Sequence, residues 1–267
     1  MSKTTLLIDG DPLVYKFACG GHKTYDWGDG CVSEDIDLDK ALERLDDFIE
    51  NLEETFGSSS TILALTDAEA NFRLDFYPQY KANRKALEKP VMWADIRAYM
   101  DTRYHTYLRP RLEGDDVLGI LATSDKIVKT PRRIIVATDK DMKTIPGDHY
   151  NPDKDELFHV DEREADYWHL FQTLAGDAVD GYPGCPKIGP VKAARVLHRE
   201  NLQAYAETFR MDLEDDWVEV AWCAVVDAYE DRFLTESDAL TQARCARILR
   251  ACDYDFSRKE PILWTPK

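Results

Sequence analysis

Three short apolar runs, each followed by an aspartate, constrain the fold of this chain more than any other feature. They are residues 5–8, 61–65 and 133–137, and each is aliphatic or β-branched with a polar turn after it. Stretches with helical periodicity separate them; in Leu38–Phe56, apolar residues recur close to every 3.6 positions. Buried strands that alternate with helices predict a parallel sheet covered on both faces.

The chain becomes helical after about residue 165. Besides Leu38–Phe56, we predict a second helix in the first half at 116–124 and four in the second half, at 165–174, 191–199, 216–230 and 236–251. A loop rich in Gly and Pro lies at 176–190. We therefore expect an α/β part over residues 1–165 and a helical part over residues 166–267.

The aspartates that follow the three strands are the first candidate site residues. The first strand leads to Asp9, the second to Asp67, and the third to Asp139 with Asp141 close behind. A single Asp after a strand usually starts a turn or caps a helix. The carboxyl ends of parallel strands, however, meet at one edge of a sheet, where ligands bind in open α/β folds. Repetition of the pattern after every predicted strand favours a site there.

Five more acids join this set. Glu113, Asp115 and Asp116 lie at a predicted helix start, where acids also complement the helix dipole. Three carboxylates within four residues repel one another unless a cation lies between them. Asp177 and Asp180 follow near a helix end. The set contains no His or Cys, and oxygen ligands suit Mg²⁺, with Mn²⁺ as a substitute. Two such ions about 4 Å apart would activate a water and hold the leaving oxygen of a phosphoryl displacement.

A basic segment and a glycine-rich turn are candidate phosphate contacts. Residues 72–89 reverse the local sign of charge, with Arg73, Lys81, Arg84 and Lys85 interleaved with tyrosines. Taken alone, this segment favours a solvated basic helix. Its position directly after Asp67 gives the functional alternative, which is contact with a phosphate and stacking of a base on tyrosine. In residues 181–190, glycines would let backbone N–H groups approach a phosphate, although such a turn is also common between helices.

Charge and hydropathy exclude some classes. The net charge of −17, from 34 basic and 51 acidic residues, argues against a simple basic DNA-coating protein. It is compatible with a metal-using nuclease, because bound ions offset clustered carboxylates. The N-terminus has no secretory pattern, and the longest apolar run, Val220–Val226, is too short to cross a bilayer. We expect a soluble cytoplasmic protein without membrane partners, in the host cytoplasm if a phage encodes it.

The order of these motifs resembles the 5′-nuclease family, which includes flap endonucleases, the 5′-nuclease domain of bacterial DNA polymerase I and phage 5′→3′ exonucleases. The likeness is greatest to the stand-alone exonucleases of short-tailed lytic phages. The segments that carry the family resemblance are residues 8–10, 66–67, 72–73, 80–84, 113–116, 138–141 and 176–177. Those that carry the likeness to the phage exonucleases include residues 80–85, 112–117, 168–173 and 246–250. The resemblance implies a PIN-like fold, a parallel twisted sheet flanked by helices, with a C-terminal helical part containing a helix-three-turn-helix at about 170–200.

The resemblance also implies residue roles. A first metal ion would be surrounded by Asp9, Asp67, Glu113 and Asp115, and a second by Asp139, Asp141 and Asp177, with Asp115 shared and with Asp116 and Asp180 in outer positions. Lys81 and Arg84 would stabilise charge on the scissile phosphate. The residues implied in DNA binding are Arg73, Tyr80, Lys85, Gly184, Lys187, Gly189 and Lys192. A K⁺ ion is implied at the helix-three-turn-helix.

Two departures bear on these roles. Lys187 stands where the polymerase I pattern has a glycine, and the basic residue of that pattern falls at Val191, with Lys192 one place later. The conformation of this glycine-rich turn and the binding of K⁺ are therefore two separate expectations. The stretch 78–110 is short for a large helical arch, which favours exonuclease action over threading of a long flap.

The leading hypothesis is a Mg²⁺-dependent 5′→3′ exodeoxyribonuclease that hydrolyses duplex DNA from 5′ ends, with RNA primers, RNA–DNA hybrids and 5′ flaps as further substrates. A structure-specific flap endonuclease is the nearest alternative. A haloacid-dehalogenase-like phosphatase would use Asp9-Gly10-Asp11 as its D-x-D motif. A non-catalytic DNA-binding subunit would have no use for nine acids. Protein partners are left open.

Overall fold

The computed structural model describes residues 3–20, 22–26, 32–83 and 89–266. The chain divides into two compact units, each built from separate stretches. Unit 1 comprises 1–70, 87–138 and 147–158, and unit 2 comprises 71–86, 139–146 and 159–267. None of the helices in the described ranges is long and apolar enough to cross a membrane.

Unit 1 holds the sheet. Its elements are β1 (Thr4–Asp9), α1 (Gly10–Gly20), β2 (His22–Asp26), β3 (Val32–Ile36), α2 (Leu38–Phe56), β4 (Ser58–Leu65), α3 (Trp93–Arg103), β5 (Thr106–Leu108), α4 (Gly114–Thr123), β6 (Arg132–Val136), β7 (Gly147–Asn151) and β8 (Glu156–Val160). Six strands form one sheet in the order β5-β4-β1-β6-β7-β8, and β2 and β3 form an antiparallel pair. The pairs β1–β4, β1–β6, β4–β5 and β6–β7 are parallel, as predicted.

Helices cover both faces of this sheet. Leu6 and Ile8 of β1 pack with buried residues of α1, α2 and α3. The intervening Leu7 points to the opposite face, because side chains alternate along a strand. Helix α4 contacts β1, β4 and β6, and its residues 116–121 are buried. Helix α2 has the predicted bounds; the Asp37 side chain accepts a hydrogen bond from Lys40 N–H at its start, and Gly57 ends it at φ 56°.

Unit 2 is helical. It contains short 3₁₀ helices at Phe72–Asp75, Lys140–Thr144 and Ala251–Asp253, and the elements α5 (Glu162–Ala175), α6 (Pro190–Val196), α7 (Arg199–Phe209), α8 (Trp217–Glu230), α9 (Glu236–Ala246), β9 (Tyr254–Asp255) and β10 (Glu260–Pro261). Its core lies among α5 to α9. The helix predicted at 191–199 ends at Val196 and a new one starts at Arg199. The helix predicted at 236–251 ends at Ala246, where Arg247 leaves the helical region at ψ 112°.

The compact units interleave along the chain, whereas the predicted domains meet once, near residue 165. Residues 71–86 belong with the helices because Arg73 donates hydrogen bonds to the carbonyls of Cys245 and Arg247. Residues 139–146 do so because Arg250 donates to the Thr144 carbonyl from both Nε and Nη2. Contacts of this kind join segments far apart in sequence and leave no mark in local patterns.

Candidate active site

Asp9 ends β1 at the carboxyl edge of the sheet, beside Ala64 of β4. Helix α1 begins at the next residue, Gly10. A Cβ added to Gly10 would lie 2.7 Å from a side-chain carbon of Leu65 and 2.8 Å from the Ala64 carbonyl oxygen. A glycine is therefore required for the chain to turn from strand to helix so close to β4. This turn holds Asp9, 6% exposed, at the edge of the sheet.

Asp67 connects the end of β4 to the residues that precede α4. Its N–H donates to the Leu112 carbonyl at 2.9 Å. Its carboxylate accepts hydrogen bonds from Arg111 N–H at 2.7 Å and from Glu69 N–H at 3.0 Å. The Arg111 bond, the largest effect, lowers the pKa of the Asp67 carboxyl. The Asp67 carboxylate thus stabilises this turn and stays ionised. As a metal ligand, its predicted role, it would use the oxygen lone pairs that accept neither of these two hydrogen bonds.

Glu113, Asp115 and Asp116 lie at the start of α4, as predicted. Glu113 is the N-cap residue, and its N–H donates to Asp116 Oδ2 at 3.2 Å in a capping-box arrangement. Glu113 and Asp116 are buried and Asp115 is half-buried. The helix dipole and the predicted cation both favour negative charge at this position, so a role in capping does not remove the role in metal binding.

In unit 2, Asp139 and Asp141 lie on one short helix. The Asp139 side chain caps it by accepting a hydrogen bond from Asp141 N–H at 2.9 Å. Asp141 Oδ1 accepts a hydrogen bond from Gln172 Nε2 of α5 at 2.6 Å. Burial, and then the charge of Asp139, raise the pKa of Asp141 to about 7.

Two further carboxylates of unit 2, Asp177 and Asp180, also raise the pKa of Asp141, while Lys140 lowers it. These like charges therefore act on one another at short range. A divalent cation would offset this repulsion. The electrostatics of unit 2 fit the prediction of a cation there.

Lys81 is held close to Asp180. Its N–H donates to the Asp180 carbonyl at 2.8 Å, and its Nζ lies 3.5 Å from Asp180 Oδ1. Tyr80 donates from its hydroxyl to Asp180 Oδ2 at 3.0 Å, and its ring stacks on Tyr182. Lys81, predicted to bind the scissile phosphate, and Asp180, predicted to lie in an outer position around a metal ion, thus form one cluster with Tyr80.

Two residues predicted to contact DNA lie in the interior instead. Arg73 is 2% exposed, and its guanidinium is used by the carbonyls of Cys245 and Arg247. Tyr80 is 5% exposed. Neither presents a surface to a nucleic acid in this structure. Their hydrogen bonds are made within the protein, by Arg73 to those two carbonyls and by Tyr80 to Asp180, as expected for buried polar groups.

The glycine-rich turn adopts left-handed backbone conformations at Gly176, Gly181, Gly184 and Lys187, with φ of 70°, 77°, 65° and 63°. A Cβ on Gly184 would lie 2.3 Å from the Gly176 nitrogen, so this pair allows two backbone segments to touch. Lys187, which replaces a glycine of the related pattern, keeps the conformation that glycine favours. Lysine at this position is therefore compatible with a positive φ. Gly189 is the N-cap residue of α6.

Predicted site residues Arg84 and Lys85 lie outside the described residues. Within the described ranges, no three His, Cys, Asp or Glu side chains are grouped closely enough to hold a metal ion. The nine acids therefore keep their predicted ligand roles as predictions, and the structure shows the backbone arrangement that presents them.

Comparisons with known proteins show which family of sequences this chain is similar to. The sequence pattern described as "5′-3′ exonuclease, N-terminal resolvase-like domain" matches residues 4–165. The chain is 32% identical to the exodeoxyribonuclease of Enterobacteria phage T3 over 286 residues, covering 99% of this chain and 94% of that protein. The exonuclease of Escherichia phage T7 is also 32% identical, with the same coverage of each chain.

This chain belongs to the 5′–3′ exonuclease family. A solved structure of the T5 5′-exonuclease with bound divalent zinc ions matches the fold of this family member with a TM-score of 0.59, at 14% identity and covering 90% of this chain and 93% of that one. The predicted PIN-like α/β fold is confirmed, and so is the resemblance to phage exonucleases. The protein is a nuclease, which removes the phosphatase and the binding-only alternatives.

Membership of the 5′–3′ exonuclease family leaves some contacts unexplained. Sequence reasoning missed Gln172, which bonds Asp141, and it considered Asp11 only under the phosphatase alternative. It did not single out Arg97, which pairs with Asp11 at 3.0 Å. An isolated Gln on a helix or Arg in a polar stretch carries no motif. Only the acid at Asp11, two places after a strand-end aspartate, gave a signal.

Proposed function

We propose that the protein is a Mg²⁺-dependent 5′→3′ exodeoxyribonuclease that releases mononucleotides from the 5′ ends of duplex DNA in the cytoplasm, which is the host cytoplasm if a phage encodes it. The reaction uses two ions, one bound by the carboxylates of each unit. Mn²⁺ substitutes for Mg²⁺, and RNA primers, RNA–DNA hybrids and 5′ flaps are further substrates. The name of the phage T3 relative, an exodeoxyribonuclease, supports DNA as the substrate.

The observation that carries the proposal is that hydrogen bonds from backbone N–H groups fix the turns that carry the acids within each unit. In unit 1, Asp67 N–H donates to the carbonyl of Leu112, the residue before Glu113. In unit 2, the Asp177 carboxylate accepts from Val179 N–H at 2.7 Å and from Asp180 N–H at 3.2 Å. Local turns therefore fix the acids before any ion binds, which lowers the cost of assembling a site.

The donor set fits a hard divalent cation. In unit 1 the donors are Asp9, Asp67, Glu113 and Asp115, with Asp116 beside them. In unit 2 they are Asp139, Asp141 and Asp177, with Asp180 beside them. All are carboxylates, and Asp141 already experiences the repulsion that a cation relieves. These carboxylates would therefore hold one divalent ion in each unit.

When bound, the ions supply a nucleophilic water at neutral pH and charge stabilisation for the leaving oxygen. The protein supplies positions. Lys81, held by Asp180, provides a cation for the scissile phosphate, and Arg84 provides a second. Lys85, Gly189 and Lys192 contact the phosphate backbone without reading sequence. Gly184, also predicted to bind DNA, is buried and donates its N–H to Gln242 Oε1 at 2.9 Å, so it is not one of these contacts. Lys187 contributes a further backbone contact.

A K⁺ ion in the turn fits poorly. Lys192 Nζ donates to the Lys187 carbonyl at 3.0 Å, and Arg232 Nε donates to the Pro186 carbonyl at 2.7 Å. Two neighbouring carbonyls of the turn thus already face a positive side chain. We therefore omit K⁺ from the mechanism.

The test uses an internally labelled DNA duplex with one recessed and one flapped 5′ end. Wild-type protein is compared in Mg²⁺ and in EDTA, and with Asp139→Asn in Mg²⁺. Loss of the Asp139 carboxylate is expected to lower turnover by about 100-fold or more, because a ligand charge is lost while the fold is retained. Asp215→Asn, the same change at an exposed acid, is the control and is expected to act like wild type.

Release of mononucleotides from the recessed end, in Mg²⁺ only, is the expected result. Short oligonucleotides from the flapped end would move the assignment to a structure-specific endonuclease. Full activity of Asp139→Asn, or full activity in EDTA, would contradict the metal assignment.

A further inference from the structure

Asp11 lies beside the candidate ligands of unit 1, but the proposed function gives it no role. Its side chain is 26% exposed, and both of its carboxylate oxygens are engaged within unit 1. Oδ1 accepts a hydrogen bond from Arg97 Nη1 of α3 at 3.0 Å. Oδ2 accepts one from Thr66 N–H at 3.0 Å. Asp11 lies two residues after Asp9, in the first turn of α1.

Thr66 is the centre of this contact. Besides its N–H, its carbonyl accepts a hydrogen bond from Arg97 Nη2 at 2.7 Å. Its Oγ1 accepts one from Gly114 N–H at 2.8 Å. All three polar groups of Thr66 are therefore used by three different segments. A Cβ on Gly114 would lie 3.1 Å from Asp11 Oδ2, so Gly114 and Asp11 are also in close contact.

Three of the four residues in this network lie within two positions of a predicted metal ligand. Asp11 follows Asp9 by two positions, Thr66 immediately precedes Asp67, and Gly114 immediately follows Glu113. Arg97, whose side chain is 13% exposed, spans Asp11 and Thr66 with its two terminal nitrogens. Its guanidinium carbon also lies 5.4 Å from the centre of the Trp93 ring, which restricts its movement.

We propose that Asp11 and Arg97 are positioning residues that hold the three ligand-bearing segments of unit 1 in the arrangement a divalent ion requires. This inference rests on the proposed function, because it takes Asp9, Asp67 and Glu113 as ligands. Hydrogen-bonded partners behind metal ligands set ligand orientation, and their loss weakens metal binding.

The direction in which two substitutions change cation affinity distinguishes a positioning role from a simple effect of charge. Asp11→Asn removes a negative charge, which by electrostatics alone weakens cation binding. Arg97→Gln removes a positive charge, which by electrostatics alone tightens it. If the network positions the ligands, both substitutions weaken binding. Arg97→Lys keeps the charge but loses the forked geometry that joins Asp11 to Thr66, so it is expected to weaken binding as well.

The experiment counts Mn²⁺ bound to unit 1 by electron paramagnetic resonance of the free ion. Asp139 and Asp177 are first replaced by Asn, so that the carboxylates of unit 2 contribute little. In this background Asp11→Asn, Arg97→Gln and Arg97→Lys are each expected to raise the dissociation constant roughly 10-fold. Arg103→Gln is the matched control, since Arg103 lies on the same helix and pairs with Asp46 instead. Circular dichroism in EDTA verifies that each variant is folded.

Tighter Mn²⁺ binding by Arg97→Gln with weaker binding by Asp11→Asn would reduce the network to a charge effect and overturn the inference. Unchanged binding in all three variants would overturn it too. Absence of Mn²⁺ binding in the background protein would instead remove the ligand assignment of unit 1, and with it both the proposed first ion and this inference. If the other variants fail to fold, the Mn²⁺ affinity of Arg97→Lys, the mildest change, decides the test.

Discussion

At the scale of single residues, Asp141 is placed among like charges. Its carboxyl is largely buried beside Asp139, and its pKa is raised to about 7 from the usual 3.8. The unfolded chain has no such repulsion. Between these two values the native state therefore holds a proton that the unfolded state releases, and folding and ionisation of Asp141 oppose each other.

From this we expect that, in EDTA, the contribution of Asp141 to stability is greatest below pH 4 and falls as the pH rises through 7. Asp141→Asn removes the effect, and at pH 8 without metal it is expected to be more stable than wild type by roughly 2–4 kcal/mol. Urea unfolding at pH 5 and pH 8 measures this. Mg²⁺ is expected to restore wild-type stability at pH 8 and to do little for the variant. A variant less stable than wild type at pH 8 would contradict the charge conflict.

Two glycines with left-handed φ provide a matched pair. Gly184 has φ 65° and its added Cβ would lie 2.6 Å from the Leu174 carbonyl oxygen; Gly57 has φ 56° and open space around its Cβ. Gly57→Ala is expected to cost about 1 kcal/mol from backbone strain alone. Gly184→Ala is expected to cost about 3 kcal/mol or more, since two backbone segments must separate. Urea unfolding compares them; equal costs would argue against the close approach.

At the scale of elements, α5 links the candidate site to the core of unit 2. Gln172 on this helix bonds Asp141, and Thr173 accepts a hydrogen bond at its carbonyl from the buried Tyr229 hydroxyl at 2.7 Å. His169, one turn earlier, is 1% exposed, and its Nε2 lies 2.9 Å from the Ala243 carbonyl of α9. The orientation of α5 therefore depends on a neutral, buried imidazole.

Burial, and then the charge of Arg247, lower the pKa of His169 well below its usual 6.5. The unfolded chain takes up this proton below pH 6.5 and the native state does not, so stability is lost as the pH falls. The loss reaches at most about 1.4 kcal/mol per pH unit for one proton. His169→Gln is expected to be less stable at pH 7.5 but to show a shallower loss between pH 6.5 and pH 4.5. His198→Gln, at an exposed histidine, is the control and is expected to keep the wild-type slope.

Several elements were predictable because local patterns decide them. The runs that form β1, β4 and β6 are apolar and bounded by turns, and α2 has a regular apolar face. Helix α1 was missed because it starts directly after β1, so its apolar residues continue those of the strand. The burial of Arg73 was unpredictable for another reason: its partners, the Cys245 and Arg247 carbonyls, are 172 and 174 positions away.

The same distinction applies to the candidate site. Asp9, Asp67 and Asp139 could be named as candidates because the apolar runs show where each strand ends; their ligand roles stay predictions. The positions of Gln172 against Asp141 and of Arg97 against Asp11 depend on how helices pack, and helix packing is not written in local spacing. The left-handed conformation of Lys187 was likewise hidden, because lysine rarely adopts it.

At the scale of the whole molecule, the net charge of −17 lowers the stability of the folded state. If the nine predicted ligands are set aside, −17 + 9 leaves −8, so the remaining surface is still acidic. Self-repulsion of this size destabilises the compact state and is screened by salt.

We therefore expect the melting temperature at pH 8 to rise by several degrees between 10 mM and 300 mM NaCl, in the presence of EDTA. Near the isoelectric pH of about 4.8 the same increase in salt is expected to have little effect. Differential scanning calorimetry at both pH values measures this. An equal effect of salt at both pH values would attribute it to salting-out of apolar surface instead.

The interleaving of the two units has a consequence for how such a gene changes over time. The chain enters unit 2 at residues 71–86, again at 139–146, and finally from residue 159. No single crossover within the reading frame can exchange one unit while leaving the other intact. A hybrid of two related genes joined near residue 165 would place segments 71–86 and 139–146 from one parent against helices from the other. Diversity in this lineage is therefore expected to accumulate by substitution within whole genes, with junctions of viable hybrids confined to the two ends.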